Sequence, residues 1–143
     1  MCEIKLFLAF LSPTDDNEGM KTLRLWETET FLKWAGKLEA QTYKRIYRRI
    51  RIACATGHFG DHHGVKGADD ISEMRFDFAH GYRVYYTVMQ NELVLLALVG
   101  GNKSTQAADI QRARRMLPIA LAQVRKELEE EKQREQAGQT GRT

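Results

Sequence analysis

Two arginines on neighbouring predicted strands are the strongest candidates for chemistry in this sequence. Arg75 lies in a run that alternates polar and apolar residues, and Arg83 begins the next such run after a short turn. Antiparallel pairing across that turn would let both guanidinium groups converge on one phosphate and stabilise negative charge that develops there. The alternative is that Glu73 or Asp77, which share a face with Arg75, occupies the arginines in ion pairs.

The segment 100–105, Gly-Gly-Asn-Lys-Ser-Thr, superficially resembles a phosphate-binding loop. A nucleotide-triphosphate loop needs a further glycine, separated by four residues from a Gly-Lys pair. That glycine is absent here, and Asn102 stands between Gly101 and Lys103. What remains is a flexible glycine pair followed by Lys103 and hydroxyls at a helix start, which is a suitable environment for an oxyanion. The plainer interpretation is a loop in which Ser104 or Thr105 caps the helix.

A basic helix is predicted between residues 41 and 55. Five cations fall within residues 44–51 without one acid, whereas helix faces normally mix signs to avoid repulsion. We therefore favour a surface for phosphates or an acidic partner over a merely solvated face. The predicted contacts from this stripe are Lys44, Arg45, Arg48 and Arg49.

The segment 56–70 is rich in Gly, His and Asp and is predicted to be a loop. Cys54 and the histidines that follow it suggest a metal site, but their spacing matches no zinc finger or ribbon. We predict no metal ligands here. We expect His62, His63 and Lys66 to line a groove in which an imidazole can donate to a phosphate.

Periodicity places these residues on a small number of elements. A strand at 22–26 precedes a helix capped by Thr28, and apolar residues at i, i+3, i+4 and i+7 from Phe31 mark its buried face. After the basic helix and the loop come strand-like runs at 71–78, 83–88 and 92–99, of which the last is continuously apolar and therefore central. A further helix begins near residue 104, and Pro118 could open a new helical segment.

This order predicts an α+β fold: a small, twisted, antiparallel-rich β-sheet packed by an N-terminal helical pair, with a C-terminal helix. The second face of the sheet would remain available for binding. We divide the chain into an N-terminal extension and linker at 1–19, a main domain at 20–118, and a charged helix with a disordered tail at 119–143. The charge is concentrated in the middle, because residues 20–123 hold sixteen of the 22 basic and ten of the 19 acidic side chains.

The apolar segments and the cysteines indicate the cellular compartment. The apolar run 6–11 is too short to span a membrane, and Glu3 does not fit a signal peptide. Two cysteines in different surroundings do not suggest a disulfide framework. We expect a cytoplasmic protein that makes no contact with a membrane.

Two linked motifs resemble a known family. The string 72–86, Ser-Glu-Met-Arg-Phe-Asp-Phe-Ala-His-Gly-Tyr-Arg-Val-Tyr-Tyr, and the later segment 100–110 resemble the phage-derived, HigB-like branch of the RelE/ParE toxins. Members of this branch are often called addiction module killer proteins. The resemblance extends from about residue 22 to residue 117 and includes Phe31, Trp34 and the loop at 60–61.

The resemblance implies a RelE-like toxin of a type II toxin-antitoxin system that is neutralised by a cognate antitoxin, commonly of the helix-turn-helix type. Operator DNA would be contacted only through the antitoxin complex. Ribosome-dependent members are mRNA interferases: the RNA 2′-hydroxyl attacks the adjacent phosphate, without a metal or cofactor. Carried over to this sequence, Arg75, Arg83 and Lys103 are the catalytic candidates, with Lys66 in support. The resemblance also implies that the predicted phosphate contacts bind RNA; they are Lys44, Arg45, Arg48, Arg49, His62, His63 and Lys66.

The sequence departs from the family in one important position. Several RelE proteins have a tyrosine in the last helix near their catalytic arginines, and this helix offers none. The general base is therefore unassigned, with His62, His63 and Asp109 as candidates. Two other functions stay open: a ParE-like inhibitor of DNA gyrase, and a non-catalytic regulatory subunit that binds its antitoxin and operator DNA.

Overall fold

The structure is a computed structural model that describes residues 6–8 and 22–140, so most of the predicted N-terminal linker lies outside the described residues. The helices are α1 (Glu29–Ala35), α2 (Ala40–Thr56) and α3 (Gln106–Thr140), with a 3-10 turn at Lys103–Thr105 before α3. The strands are β1 (Leu6–Leu8), β2 (Arg24–Thr28), β3 (His62–Val65), β4 (Ala68–Arg75), β5 (Tyr82–Met89) and β6 (Val94–Asn102).

The six strands form one sheet in the order β1-β2-β6-β5-β4-β3. Only the β2–β6 pair is parallel among the described strands. The predicted meander of three antiparallel strands is confirmed as β4, β5 and β6. The continuously apolar β6 lies inside the sheet, as its sequence predicts, and Val94 to Gly100 are all buried.

Helices cover both faces of the sheet. On one face, α1 and α2 bury the core that contains Phe31, Ile46 and Ile50, and Thr28 caps α1 by accepting a hydrogen bond from the Phe31 N–H at 3.0 Å. On the other face, α3 buries Ala113 and Val124 against the sheet. The predicted fold class is confirmed.

Three predictions about the elements need correction. The predicted loop at 56–70 contains β3, which pairs with β4; only Val65 of β3 is buried, so no alternating pattern marked it. The second sheet face is not open, because α3 lies across it. The helix does not restart at Pro118, since residues on both sides of the proline pack on the same sheet face and keep α3 continuous.

The second half of α3 is fixed to the domain. Val124 is fully buried, and Arg24 of β2 donates two hydrogen bonds to the Glu131 carboxylate, at 3.2 and 3.0 Å. At the other end of the chain, β1 pairs with β2. The domain boundaries at 19/20 and 118/119 stay predictions. Within the described residues, no helix is both long enough and apolar enough to cross a membrane.

Candidate active site

A cleft of about 510 Å³ opens at the end of the sheet where β4 and β6 end and β5 begins. The three predicted catalytic residues, Arg75, Arg83 and Lys103, all line it. Strand register explains why they meet: Arg75 lies opposite Arg83, and Arg83 lies opposite Gly101 two residues before Lys103. The full lining consists of Asp61, Arg75, Phe76, Asp77, Ala79, His80, Gly81, Arg83 and Lys103.

A buried carboxylate organises the two arginines. Glu73 is only 3% exposed, accepts a hydrogen bond from Arg75 Nε, and has one carboxylate oxygen 3.8 Å from Arg83 Nε. Its other oxygen accepts from Gln106 Nε2 of α3 at 2.9 Å. The ion-pair alternative raised by the sequence is therefore correct for Glu73. Asp77 makes no such pair within the described residues and is exposed.

The ion pairs do not remove the arginines from the cleft. Glu73 engages Arg75 through Nε, and the terminal nitrogens of Arg75 make no hydrogen bond to any residue in the described part of the chain. The hydrogen bond to Glu73 raises the pKa of Arg75, so its charge is secured. Arg83 Nη1 donates to the carbonyls of Gly81 and Tyr82, at 3.4 and 3.2 Å. The pair is held in place and remains positive toward the cleft.

The turn between β4 and β5 brings one further ionisable side chain to the cleft. Ala79 and Gly81 both have positive φ, +52° and +66°, which makes the turn tight and costs about 1 kcal/mol at the alanine. His80 lies between them and lines the cleft. From its sequence position, this histidine is expected only to form part of a turn.

The glycine pair is required for packing. Both glycines lie within β6, and a Cβ on Gly100 would come within 2.0 Å of the Trp34 ring. A Cβ on Gly101 would lie 1.8 Å from an oxygen of Asp109. The predicted flexible loop is therefore wrong.

The cap of the following helical turn is also not the one predicted. Asn102, rather than Ser104 or Thr105, caps the turn, because its side chain accepts from both of their N–H groups. Asp109, a candidate general base, is buried, accepts from Thr105 Oγ1 at 2.5 Å and does not line the cleft.

Three of the four residues of the predicted RNA-binding stripe on α2 are exposed, and their contact with RNA stays a prediction. Lys44, Arg45 and Arg48 are exposed, and the Arg45 guanidinium lies 3.7 Å from the centre of the Phe78 ring in the β4–β5 turn. This contact joins the stripe to the border of the cleft.

Arg49 needs correction as an RNA-binding residue. Its guanidinium donates to the carbonyls of Arg75, Phe59 and Asp61, the last two at 3.1 and 3.2 Å. It also lies 4.2 Å from the centre of the Phe76 ring, and burial lowers its pKa. Arg49 fixes the end of β4 and the segment before β3, so we remove it from the RNA-binding set.

The residues predicted from the 56–70 segment lie beside the cleft or away from it. His62 Nδ1 is 2.9 Å from the Gly60 carbonyl, and His63 Nε2 is 2.8 Å from Asp61, which lines the cleft. Lys66 is in the β3–β4 turn, four residues from His62, and is therefore about 13 Å further from the cleft end of the hairpin. We find no His, Cys, Asp or Glu cluster suited to a metal ion within residues 22–138.

Sequence reasoning missed Gln106 and His80 as site residues and named Glu73 only as a competitor. The alternation of the strands does indicate that Glu73 lies near both arginines. Glu73 lies on the same sheet face as Arg75, and Tyr85, which is opposite Glu73 on β5, lies on the same face as Arg83. The contact of Gln106 with Glu73 joins residues 33 positions apart and has no local signature.

Comparisons with known proteins agree with this architecture. Residues 33–124 match the family described as phage-derived protein Gp49-like (DUF891). An uncharacterized protein of Haemophilus influenzae is 40% identical over 94 residues, which are 65% of this chain and 91% of that protein.

A solved structure shares the fold. The E. coli toxin RelE, solved in the free state as a double arginine-to-alanine mutant, superposes with a TM-score of 0.57 at 17% identity, covering 68% of this chain and 99% of RelE. The RelE-like fold expected from the sequence motifs is confirmed, together with the RelE/ParE resemblance. The family match covers well over half of the chain, and this chain belongs to the phage-derived Gp49-like family.

Proposed function

We propose that this protein is the toxin of a type II toxin-antitoxin pair and a metal-independent endoribonuclease that cuts mRNA on the ribosome. The observation that carries the proposal is the convergence of Arg75, Arg83 and Lys103 on one cleft, with a buried carboxylate holding the arginines. Family membership and the RelE-like fold support the toxin assignment.

The three cations suit transesterification of a phosphodiester. The 2′-oxygen attacks phosphorus, the bond from phosphorus to the 5′-oxygen breaks, and the products are a 2′,3′-cyclic phosphate and a 5′-hydroxyl. Negative charge grows on the non-bridging oxygens in the transition state. Arginine guanidinium groups match phosphate oxygens in geometry and stay charged, so Arg75 and Arg83 would stabilise that charge, with Lys103 assisting.

A proton must leave the 2′-hydroxyl and another must reach the 5′-oxygen. His80 is the one imidazole that lines the cleft within the described residues, and histidine is the commonest general acid or base near neutral pH. Tyr85 is unsuited to this role because it is fully buried, and its burial raises its pKa. We assign removal of the 2′-hydroxyl proton to His80, and the 5′-oxygen takes its proton from solvent water. His80→Gln should slow cleavage without loss of RNA binding, and equal rates would remove His80 from the mechanism.

The partners follow from the same proposal. The ribosome and mRNA would meet the cleft and the exposed cations Lys44, Arg45 and Arg48 of α2, and a cognate antitoxin, commonly a helix-turn-helix protein, would neutralise the toxin. Contact with operator DNA would occur only through that complex. This function places the protein in the cytoplasm and requires no cofactor.

Induced expression tests the proposal. Wild type, Arg75→Ala/Arg83→Ala and the control Arg134→Ala, an exposed arginine in the second half of α3 outside the cleft, are compared for growth and for mRNA 5′ ends. We expect arrest and new mRNA ends in wild type and control but not in the double variant. Arrest with intact mRNA and accumulated gyrase-cleaved DNA would favour a ParE-like gyrase inhibitor. Harmless wild-type expression would favour a non-catalytic regulatory subunit.

A further inference from the structure

The first half of α3 carries an arginine patch that the site described above does not use. Arg112, Arg114 and Arg115 are exposed and make no ion pair or hydrogen bond with any residue in the described part of the chain. Two basic side chains at the second half of α3 are instead paired with acids. Arg125 pairs with Glu92 at 3.3 Å and Arg24 pairs with Glu131 at 3.0 Å.

The patch follows directly from the cleft along the chain. Lys103 lines the cleft, the 3-10 turn ends at Thr105, and the first residue of α3, Gln106, contacts the carboxylate that holds the arginines. At 1.5 Å per residue, Arg112 and Arg115 lie about 9 and 14 Å along the helix axis from Gln106. The patch therefore begins about two helical turns from the cleft.

No charge within this stretch neutralises the patch. The one acid between Lys103 and Arg115 is Asp109, which is buried and bonded to Thr105. Arg112 and Arg115 are three residues apart, so they are neighbours on the helix surface and repel each other. The repulsion between these two guanidinium groups costs free energy in the unbound protein. An anion that contacts both groups would relieve it. Guanidinium groups bind phosphates in a two-pronged geometry, which makes a phosphodiester backbone a well-matched anion.

We propose that the α3 arginine patch binds the phosphodiester backbone of the substrate RNA strand where the strand leaves the cleft. The strand would then be held on two sides, by the α2 stripe next to Phe78 and by α3 beyond Lys103. This inference rests on the proposed nuclease function, because it takes the cleft to be the site of an RNA phosphate. An acidic protein surface is the competing occupant, and continuity with the cleft favours RNA.

Binding of 2′-O-methylated single-stranded RNA, which lacks the attacking 2′-hydroxyl, to a parent protein that keeps Arg75 and Arg83 tests the patch. Arg112→Glu/Arg115→Glu is compared with Lys132→Glu/Arg134→Glu, a control of identical charge change at exposed positions in the second half of the same helix. Each variant binds a trinucleotide and a dodecamer at several salt concentrations. For the dodecamer, we expect the patch variant to lose about ten-fold or more in affinity and about 1.4 in the salt slope, or about 0.7 for each phosphate contact.

The trinucleotide and the control variant supply the discriminating results. The trinucleotide should bind equally to the parent and the patch variant, because it does not extend beyond the cleft. Equal dodecamer losses in the patch and control variants would overturn the inference while leaving the nuclease function intact. Unchanged RNA binding with weaker binding of the co-expressed antitoxin would assign the patch to an acidic protein instead. If the parent binds no RNA even at low salt, both the inference and the proposed function fail.

Discussion

The buried pair Glu73 and Arg83 should be coupled more strongly than an exposed ion pair of this protein. The two groups are 3.8 Å apart and their side chains are 4% and 12% exposed. Glu73→Gln and Arg83→Gln, singly and together, form a double-mutant cycle that isolates their interaction. The exposed pair Glu92 and Arg125 provides a matched cycle at the shorter distance of 3.3 Å, with side chains 26% and 59% exposed.

Burial, rather than distance, should decide the magnitudes. Coulomb's law with an effective dielectric constant of about 20 gives about 4 kcal/mol for unit charges at this separation, and desolvation of both groups offsets part of it. We therefore expect a coupling of about 2 kcal/mol between Glu73 and Arg83. For the exposed control pair we expect about 0.5 kcal/mol, because water screens both charges.

Urea denaturation monitored by circular dichroism gives the free energy of unfolding of each variant. The Glu73 and Arg83 cycle should also keep most of its coupling at high salt, whereas that of the control pair should decline. A coupling for Glu73 and Arg83 no larger than that of the control pair would refute the assignment of Glu73 as the carboxylate that organises the cleft.

Three further predictions concern the surroundings of the site. Gly101→Ala should destabilise the fold by about 2–3 kcal/mol, because the new Cβ meets Asp109 at 1.8 Å, whereas Gly64→Ala, with nothing within 4 Å, should not; equal urea midpoints would contradict this. Burial raises the pKa of Glu27, and the hydrogen bond from Tyr47 offsets part of this rise. The contribution of Glu27 to the stability of the fold is therefore fully present below the pKa of the unfolded chain. It is lost as the pH rises through the raised pKa of the native protein. Glu27→Gln should therefore gain stability over wild type as pH rises, and parallel stability curves would disprove it. Burial also raises the pKa of Cys54 to about 12, so in a Cys2→Ser background native protein should resist thiol reagents and react once unfolded; fast native labelling would show the thiol to be accessible.

The sequence predicted the cleft cations because their placement depends on local rules. Alternation assigns Arg75 and Arg83 to one sheet face, and a short turn between their strands makes them register partners. Lys103 follows the central strand and therefore lies at the same end of the sheet as the two arginines. These features can be predicted without information about contacts between residues far apart in the sequence.

The rest depends on contacts between residues far apart in sequence. Arg49 looks like its helical neighbours, yet carbonyls 10 to 26 residues away occupy its guanidinium. β3 buries one residue, so its pattern resembles a loop. Pro118 is a reasonable place to end a helix, but burial of residues on both sides of it keeps α3 continuous across the predicted open face.

Cleavage of mRNA on programmed ribosomes by purified protein tests the central claim most directly. Single-turnover rates are compared for wild type, Arg83→Ala and Arg134→Ala, each shown to be folded at the assay temperature. Loss of one preorganised charge at the phosphate predicts a decrease of about 100-fold or more for Arg83→Ala and no change for Arg134→Ala. Wild-type protein that leaves the mRNA intact, or equal rates for all three proteins, would contradict the account.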